Sequence, residues 1–469
     1  MPTDMDTDDL CFTSAATLAR LIAAREISPV AVTEAVLARA DAVGPALNIF
    51  AHEMASAARA GALAAEAAVM RGDQLGPLHG VPITIKDNVA IAGLPLANGS
   101  AAFRDAVPMA DAAVVQRIRA AGAIIIGKTN LPEFAHKVLT DSPAFGITRN
   151  PWNLERTPGG SSGGASAALA AGVAPLAVGT DGGGSIRCPA SCTGVVGLKA
   201  TLGLIPQETV PDAFANFSFV GPMARTVADT MLLLSVMAGP NAGDPFSIGA
   251  GPDTTSSGET KMAGLRIGWV EQFGRYQTDP SVADLMRTSM TSLEGQRAIV
   301  EPIHPACFDD VFDYYVVLAT TNHATRYGHL PAVWGDRMSA SIRASIANGQ
   351  RYSAVEWQRA HASRTNLFRS VQTLFERFDV IATPTMLSPP KPLDAEGSIA
   401  TAAYGEWAAP LYPFNLSGHP AISVPAGFTA DELPVGLQLV GPWFGEQRLL
   451  SVAAMLEQIH DWPARRPPI

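Results

Sequence analysis

Two glycine-serine clusters and one upstream lysine are the residues of this chain whose types and spacing could do chemistry together. The clusters are Gly159–Gly164 (GGSSGG) and Gly182–Ser185 (GGGS), and they bracket an alanine-rich segment that carries no charge. Glycine loses more backbone freedom on folding than any other residue, so this density suits a place where backbone N–H groups must approach something small. Hydroxyls beside converging N–H groups are the layout of acyl transfer. A serine becomes a nucleophile once a base takes its proton, and preorganised N–H donors stabilise the charge that grows on the carbonyl oxygen. Gly182, Gly183 and Gly184 ahead of Ser185 allow such donors to converge without side-chain clashes. A helix beginning just beyond them would add its positive end.

The base is the next requirement. Nine histidines are present, and none sits in a pattern that marks a base. His79 lies near Lys86 and His136 lies between that lysine and the first cluster; His52, His304, His323, His329, His361, His419 and His460 read as ordinary surface or core residues. Lysine is the alternative, and it serves only when neutral, a state that burial favours because the charged form loses its solvation. Lys86 meets that condition. In VPITIKDN the residues Val81, Ile83 and Ile85 alternate as in a strand and lead Lys86 into the interior.

Three other readings compete. GGSSG fits the G-x-S-x-G nucleophile elbow, which should follow a buried strand, whereas NPWNLERTP (Asn150–Pro158) is a polar loop with two prolines. A phosphate loop needs Gly-Lys-Ser/Thr after its glycines, or a strand before G-x-G-x-x-G, and neither occurs. For either cluster alone, a close backbone crossing in a packed core is a serious contender.

The elements that must position these residues follow from the periodicity. Residues 1–75 read as a helical lead-in. It comprises a helix over Ser14–Ala24, a second entered through the Ser28 cap and Pro29, and a third from about Ala51 to Met70 that stops at Gly72. The strand ending at Lys86 opens a core over residues 80–240. There Asp111 is placed to cap a helix through Ala121, AGAIIIGKTN is a buried strand, GVVGLKA (Gly194–Ala200) another, and Thr226–Gly239 a buried helix. Residues 240–262, rich in Gly, Pro, Ser and Thr, read as an exposed loop. A strand at LRIGWV and a helix over Val282–Leu293 follow, and residues 307–378 hold helical stretches that could form an inserted cap. Phe378–Thr385, Ala421–Gly427 and Val435–Pro442 are strands, and Gln447–Ile459 is a closing helix. Alternating strands and helices define an α/β class.

Composition excludes several roles. A hydrophobic content of 47% with 16% charged residues describes a globular protein with a large core, and large α/β enzymes fill 469 residues with one domain. The net charge of −10 argues against a nucleic-acid surface. Four cysteines are too few for a disulfide framework, and no Cys/His set suits a metal. An acidic N-terminus without a leader pattern, and no apolar run of membrane-spanning length, point to a cytoplasmic enzyme.

With Lys86, Ser161 and Ser185 in place, the sequence resembles the amidase signature family over nearly its whole length, from about Ser14 to Gln458. The matching segments are GGSSGGASAALAAG, GTDGGGSIRCPAS and GVVGLK, with outlying matches at GVPITIKDN, NPWN, GPMARTVAD, NLSGHPAISVPAG and LPVGLQLVGP. The resemblance implies one amidase domain, α/β, built on a large central mixed β-sheet flanked by helices on both faces. It implies that Ser185 is the nucleophile, that Ser161 is a relay serine after a cis peptide at Gly160, and that Lys86 is the base acting through Ser161. The N–H groups of Gly182, Gly183, Gly184 and Ser185 would form the oxyanion hole, with Ser162, Thr180, Asp181 and Arg187 orienting the loops.

Two positions depart from the family pattern. Lys199-Ala200 replaces a Lys-Pro pair, and Gly182 leaves extra room beside the hole. The substrate channel would be lined by Glu133–Thr140, Ile205–Phe219 and Tyr404–Phe414. Ala135, His136, Phe214, Phe217, Tyr404 and Trp407 are its candidates and make it apolar and partly aromatic. The expected activity is hydrolysis of a small aryl or apolar amide, carbamate or ester, with no cofactor, no metal and no nucleic-acid partner, and a homodimer is the candidate assembly. The alternative is the glutamine-hydrolysing subunit of a tRNA-dependent amidotransferase.

Overall fold

Pro82–Lys86 and Leu176–Asp181 are apolar runs that end on polar residues. In the computed structural model, which describes residues 6–248, 261–394 and 406–469, they lie side by side as parallel strands. Parallel pairing sends both C-terminal ends to the same edge, so Lys86 emerges next to Thr180 and Asp181, where open α/β sheets gather ligands.

These two strands belong to an eleven-stranded sheet. In chain order the strands are β1 (Phe50–Glu53), β2 (Pro82–Lys86), β3 (Ile124–Thr129), a separate ribbon of β4 (Asp141–Ser142) and β5 (Gly146–Ile147), β6 (Leu176–Asp181), β7 (Val196–Lys199), β8 (Phe219–Ala224), β9 (Arg266–Trp269), β10 (Ile299–Pro302), β11 (Val380–Pro384), β12 (Ala421–Phe428) and β13 (Pro434–Val440). Across the large sheet the order is β1-β3-β2-β6-β8-β7-β12-β13-β11-β9-β10. It is mixed: β2 is parallel to β3 and β6, β6 is antiparallel to β8, and β11 is parallel to β9 but antiparallel to β13.

Period-two alternation divides the core between the two faces. Leu176 and Val178 of β6, Val380 and Ala382 of β11, and Ile422 and Val424 of β12 pack into one large cluster. That cluster is completed by helices α1 (Thr7–Phe12), α2 (Ala15–Ala23), α3 (Pro29–Leu47), α4 (Ala55–Arg71), α5 (Ala113–Ala120), α8 (Val227–Met237) and α9 (Pro280–Gly295). The intervening residues Ala177, Ile381 and Ala421 face the other side. There they meet α6 (Gly163–Ala170), α7 (Arg187–Thr193), α10 (Val311–Tyr327) and α13 (Ala354–Leu374), while α11 (Pro331–Trp334) and α12 (Ala340–Gly349) pack with the end of α10 in a cluster of their own. Burying both faces explains why β2, β3 and β6 are mostly apolar until the polar residues at their C-terminal ends.

Local signals account for most helix starts. Ser14 caps α2 by accepting from the Thr17 N–H, Ser28 caps α3 with Pro29 at its first position, and Gly72 closes α4 in the left-handed region at φ 77°. Two expectations fail for tertiary reasons. The third helix starts at Ala55 rather than Ala51, because Phe50–Glu53 is captured as an edge strand by β3. Asp111 does not cap α5. Its carboxylate accepts the Ala92 N–H at 2.7 Å and pairs with Arg119, while Glu208 takes the Ala113 N–H at 2.7 Å. In the segment expected as an exposed loop, Asp244 and Ser247 are buried and Asp244 accepts the Gln207 N–H. Residues 249–260 of that segment lie outside the described part.

Candidate active site

Lys86 ends β2 with its side chain fully buried. Its Nζ lies 2.7 Å from Ser161 Oγ, 2.9 Å from Ser162 Oγ and 2.8 Å from Thr180 Oγ1, with the Thr180 carbonyl at 3.3 Å. Burial holds its pKa well below the ordinary lysine value, against the opposing field of Asp181. A neutral amine has two N–H groups and one lone pair. Ser162 already donates its proton to the Thr180 carbonyl at 3.1 Å, so its oxygen accepts from Lys86. Thr180 Oγ1, held by Asn88 at 2.9 Å, can take the second N–H. The lone pair then faces Ser161, which is the arrangement a base needs.

Ser161 follows a cis peptide bond at Gly160 and precedes α6. The Ser162 N–H donates to the Ser185 carbonyl at 3.1 Å, and this ties the two glycine-serine turns together. Hydrogen bonds among the described residues stop at Ser161. None reaches the Ser185 hydroxyl, which opens on the same cavity as Ser161. Such bonds commonly close only when substrate is bound.

The glycines before Ser185 are not equivalent. A Cβ on Gly183 would lie 1.9 Å from Tyr315 Oη, and Gly184, at φ +105°, would meet Leu411 at 2.1 Å. A Cβ on Gly182 would meet only the Ser218 side chain, at 3.7 Å from Oγ and 3.9 Å from Cβ, which are ordinary contacts, so the extra room expected there exists. The Gly184 N–H corrects one expectation. It donates to Asp181 Oδ1 at 2.7 Å and so is already committed, which leaves Gly182, Gly183 and Ser185 as the oxyanion-hole candidates.

Asp181 organises this loop. Its carboxylate takes the N–H groups of Gly184 and Ile186 and the Arg187 guanidinium, at 3.0 Å from both Nε and Nη2. Burial alone would raise its pKa, but Arg187 and the Asn415 amide hold it below the usual carboxylate range. Arg187 is itself fully buried and also donates to Gln438 and Asn415. Asn415 and Gln438 stand in the C-terminal motifs NLSG and VGLQLVGP, yet nothing in their spacing to Asp181 reveals the contact.

The cavity above the serines measures about 200 Å³. Ala135, His136 and Phe217 line it as expected. Phe214 does not: it is 79% exposed and lies in a separate cleft with Phe246 and Trp443. Trp407 does not either, since it is buried in the second core cluster with its indole N–H bonded to the Ser388 carbonyl. Tyr404 lies outside the described residues. Phe134, Gln207, Glu208 and Ser218 of the expected segments share the wall with residues that sequence reasoning missed, chiefly Tyr315, Ala319, Asn322, His323 and Arg326 along one face of α10, with Asn88. Their i, i+4, i+7 and i+11 spacing is the available signal, but it marks a helix face without saying what the face looks onto. The cavity is therefore more polar than expected. His136 and His323 are both depressed by burial, His323 to about 4, so neither adds charge at neutral pH.

A mixed sheet flanked by helices, an α/β architecture, presents two serine turns to one cavity, with the desolvated Lys86 hydrogen-bonded to Ser161 beneath them. An Amidase family model matches residues 31–450, and the chain belongs to the amidase family, whose members hydrolyse amides. It is 36% identical to an acylamidase of Rhodococcus erythropolis over 99% of this chain and 98% of that protein. It is 38% identical to a glutamyl-tRNA(Gln) amidotransferase subunit from Symbiobacterium thermophilum over 97% and 98%. Among solved structures it resembles a 6-aminohexanoate cyclic dimer hydrolase in complex with substrate (TM-score 0.88, 31% identity, covering 98% and 99%). It also resembles a bacterial aryl acylamidase (TM-score 0.89, 29% identity, covering 97% and 99%). No helix among the described residues is long and apolar enough to cross a membrane.

Proposed function

We propose that the protein hydrolyses the C–N bond of small linear amides, and accepts carbamates and esters, through an acyl-enzyme on Ser185. Neutral Lys86 takes the Ser161 proton as Ser161 takes that of Ser185, and Ser185 Oγ attacks the carbonyl carbon. The oxyanion meets the N–H groups of Gly182, Gly183 and Ser185. The C–N bond then breaks as the proton held on the Ser161–Lys86 relay passes to the leaving amine. Water repeats the sequence to release the acid.

The observation that carries this reading is the fully buried Lys86 amine, bonded to three hydroxyls, two of them, on Ser161 and Thr180, belonging to residues that line the cavity onto which Ser185 opens. The cavity, smaller than the ~300–1,000 Å³ of drug-sized clefts, and its aromatic side chains Phe134, Phe217, Tyr315 and Tyr327 favour a small aryl or apolar group next to the scissile bond. Mass spectrometry after exposure to a mixed amide and ester panel tests the proposal. An acyl adduct on Ser185 is expected, and it should be absent from Ser185→Ala and Ser161→Ala.

A second reading, a glutaminase component of an amidotransferase, is favoured by the 38% identity to the amidotransferase chain of Symbiobacterium thermophilum. The purified chain acting alone on anilides, with glutamine left intact, would exclude it.

A further inference from the structure

Arg326 brings to the rim of the cavity a charge that nothing on the wall answers. It is exposed, and no carboxylate pairs with it among the described residues. Its guanidinium lies 5.2 Å from the ring centre of its own neighbour, Tyr327. The other charged side chain of the wall, Glu208, is committed to the Ala113 N–H at the start of α5 and faces Arg117. Exposed Asn322 stands one helical turn before Arg326, and buried Ser161 and Ser185 form the floor. A substrate that enters amide-first therefore leaves its far end beside an uncompensated cation and a primary amide.

Helix α10 sets the length of that substrate. At its inner end Tyr315 donates to the Gly182 carbonyl at 3.2 Å, beside the N–H groups proposed for the oxyanion. Arg326 lies eleven residues further along the same helix, about 16 Å at 1.5 Å per residue. Its side chain leans back toward the helix N-terminus, which brings the cation to about 10–15 Å from the reacting carbonyl.

We infer that Arg326, with Asn322, selects amides that carry a carboxylate about a nanometre from the scissile bond. This inference rests on acylation at Ser185. The glutamine carboxylate, about 5 Å from its own side-chain amide, falls short of the rim.

The test is a series of p-nitroanilides of α,ω-dicarboxylic acids with four to ten carbons, each paired with the methyl-ended acyl chain of equal length. A matched series places the carboxylate on the amine side. The wild-type protein is expected to favour the carboxylate about five- to tenfold in kcat/KM at the longer lengths, mainly through KM, and little at four carbons. The preference should shrink in 1 M salt, disappear in Arg326→Gln and partly survive in Arg326→Lys. Binding of the same pairs to Ser185→Ala by calorimetry gives the comparison without turnover. A wild-type protein with no length-dependent preference in either series, or a preference that survives Arg326→Gln, overturns the inference. Nitroaniline release that depends on Ser185 but ignores the carboxylate overturns anion selection alone. Carboxylate-selective binding without any acylation overturns the reaction and leaves anion selection standing.

Discussion

Replacing Lys86 by methionine should remove one proton from the count that accompanies unfolding. The native amine is desolvated, bonded to three hydroxyl oxygens, and opposed only by the field of Asp181, a carboxylate already engaged by Arg187. Its native pKa is thus depressed below the 10.5 of a free lysine. Between the native value and 10.5 the unfolded chain binds a proton that the native chain does not. Stability therefore rises with pH across that window, by about 1.4 kcal/mol per pH unit, and stops rising above it. At pH 8.5 an unfolded lysine is about 99% protonated, so a native amine that is neutral, as the base role requires, makes the difference about one proton per molecule. The assay is a pH-stat titration of protein transferred into guanidinium in weak buffer. Wild type should take up about one more proton than Lys86→Met, because Lys128 and Lys199 are common to both and cancel. Equal uptake would mean that Lys86 is charged in the native state, and the base assignment would fall with it.

Three further outcomes follow from the same geometry. Amide hydrolysis should rise with pH through the depressed lysine midpoint and hold on the alkaline side; a profile set by a histidine and abolished in His136→Ala would contradict Lys86 as base. Gly183→Ala should lower kcat about 100-fold or more by forcing Tyr315 off the loop, whereas Gly182→Ala, with 3.7 Å of clearance to Ser218, should lose far less; equal losses would refute the oxyanion geometry. Asp181→Ala strips the buried Arg187 of its partner and should cost roughly 3–5 kcal/mol in urea unfolding. A loss under 1 kcal/mol there would show that Asn415 and Gln438 suffice to hold the guanidinium.

Local chemistry made much of this protein legible. The Ser28-Pro29 start, the Gly72 stop, the alternation that leads to Lys86 and the two glycine-serine turns act over a few residues, and the chain follows them. What failed was decided by partners far along the chain. Phe50–Glu53 became a strand because β3 offered an edge, and Glu208 displaced Asp111 as the cap of α5. Phe214 and Trp407 are aromatic in the expected segments, but one turned to solvent and the other into the core, a choice that hydrophobicity does not encode.

The sequence by itself determined the candidate reactive groups and the strand that delivers the lysine, because residue type and period are local properties. Tertiary structure alone decided that Lys86 sits among Ser161, Ser162 and Thr180, 75 to 94 residues away in the chain. It also decided that Asp181 rather than an oxyanion holds the Gly184 N–H, and that one face of α10 closes the cavity. Those contacts depend on the parallel register of β2 and β6 and on the packing of a helical segment over them, and both are properties of the assembled sheet.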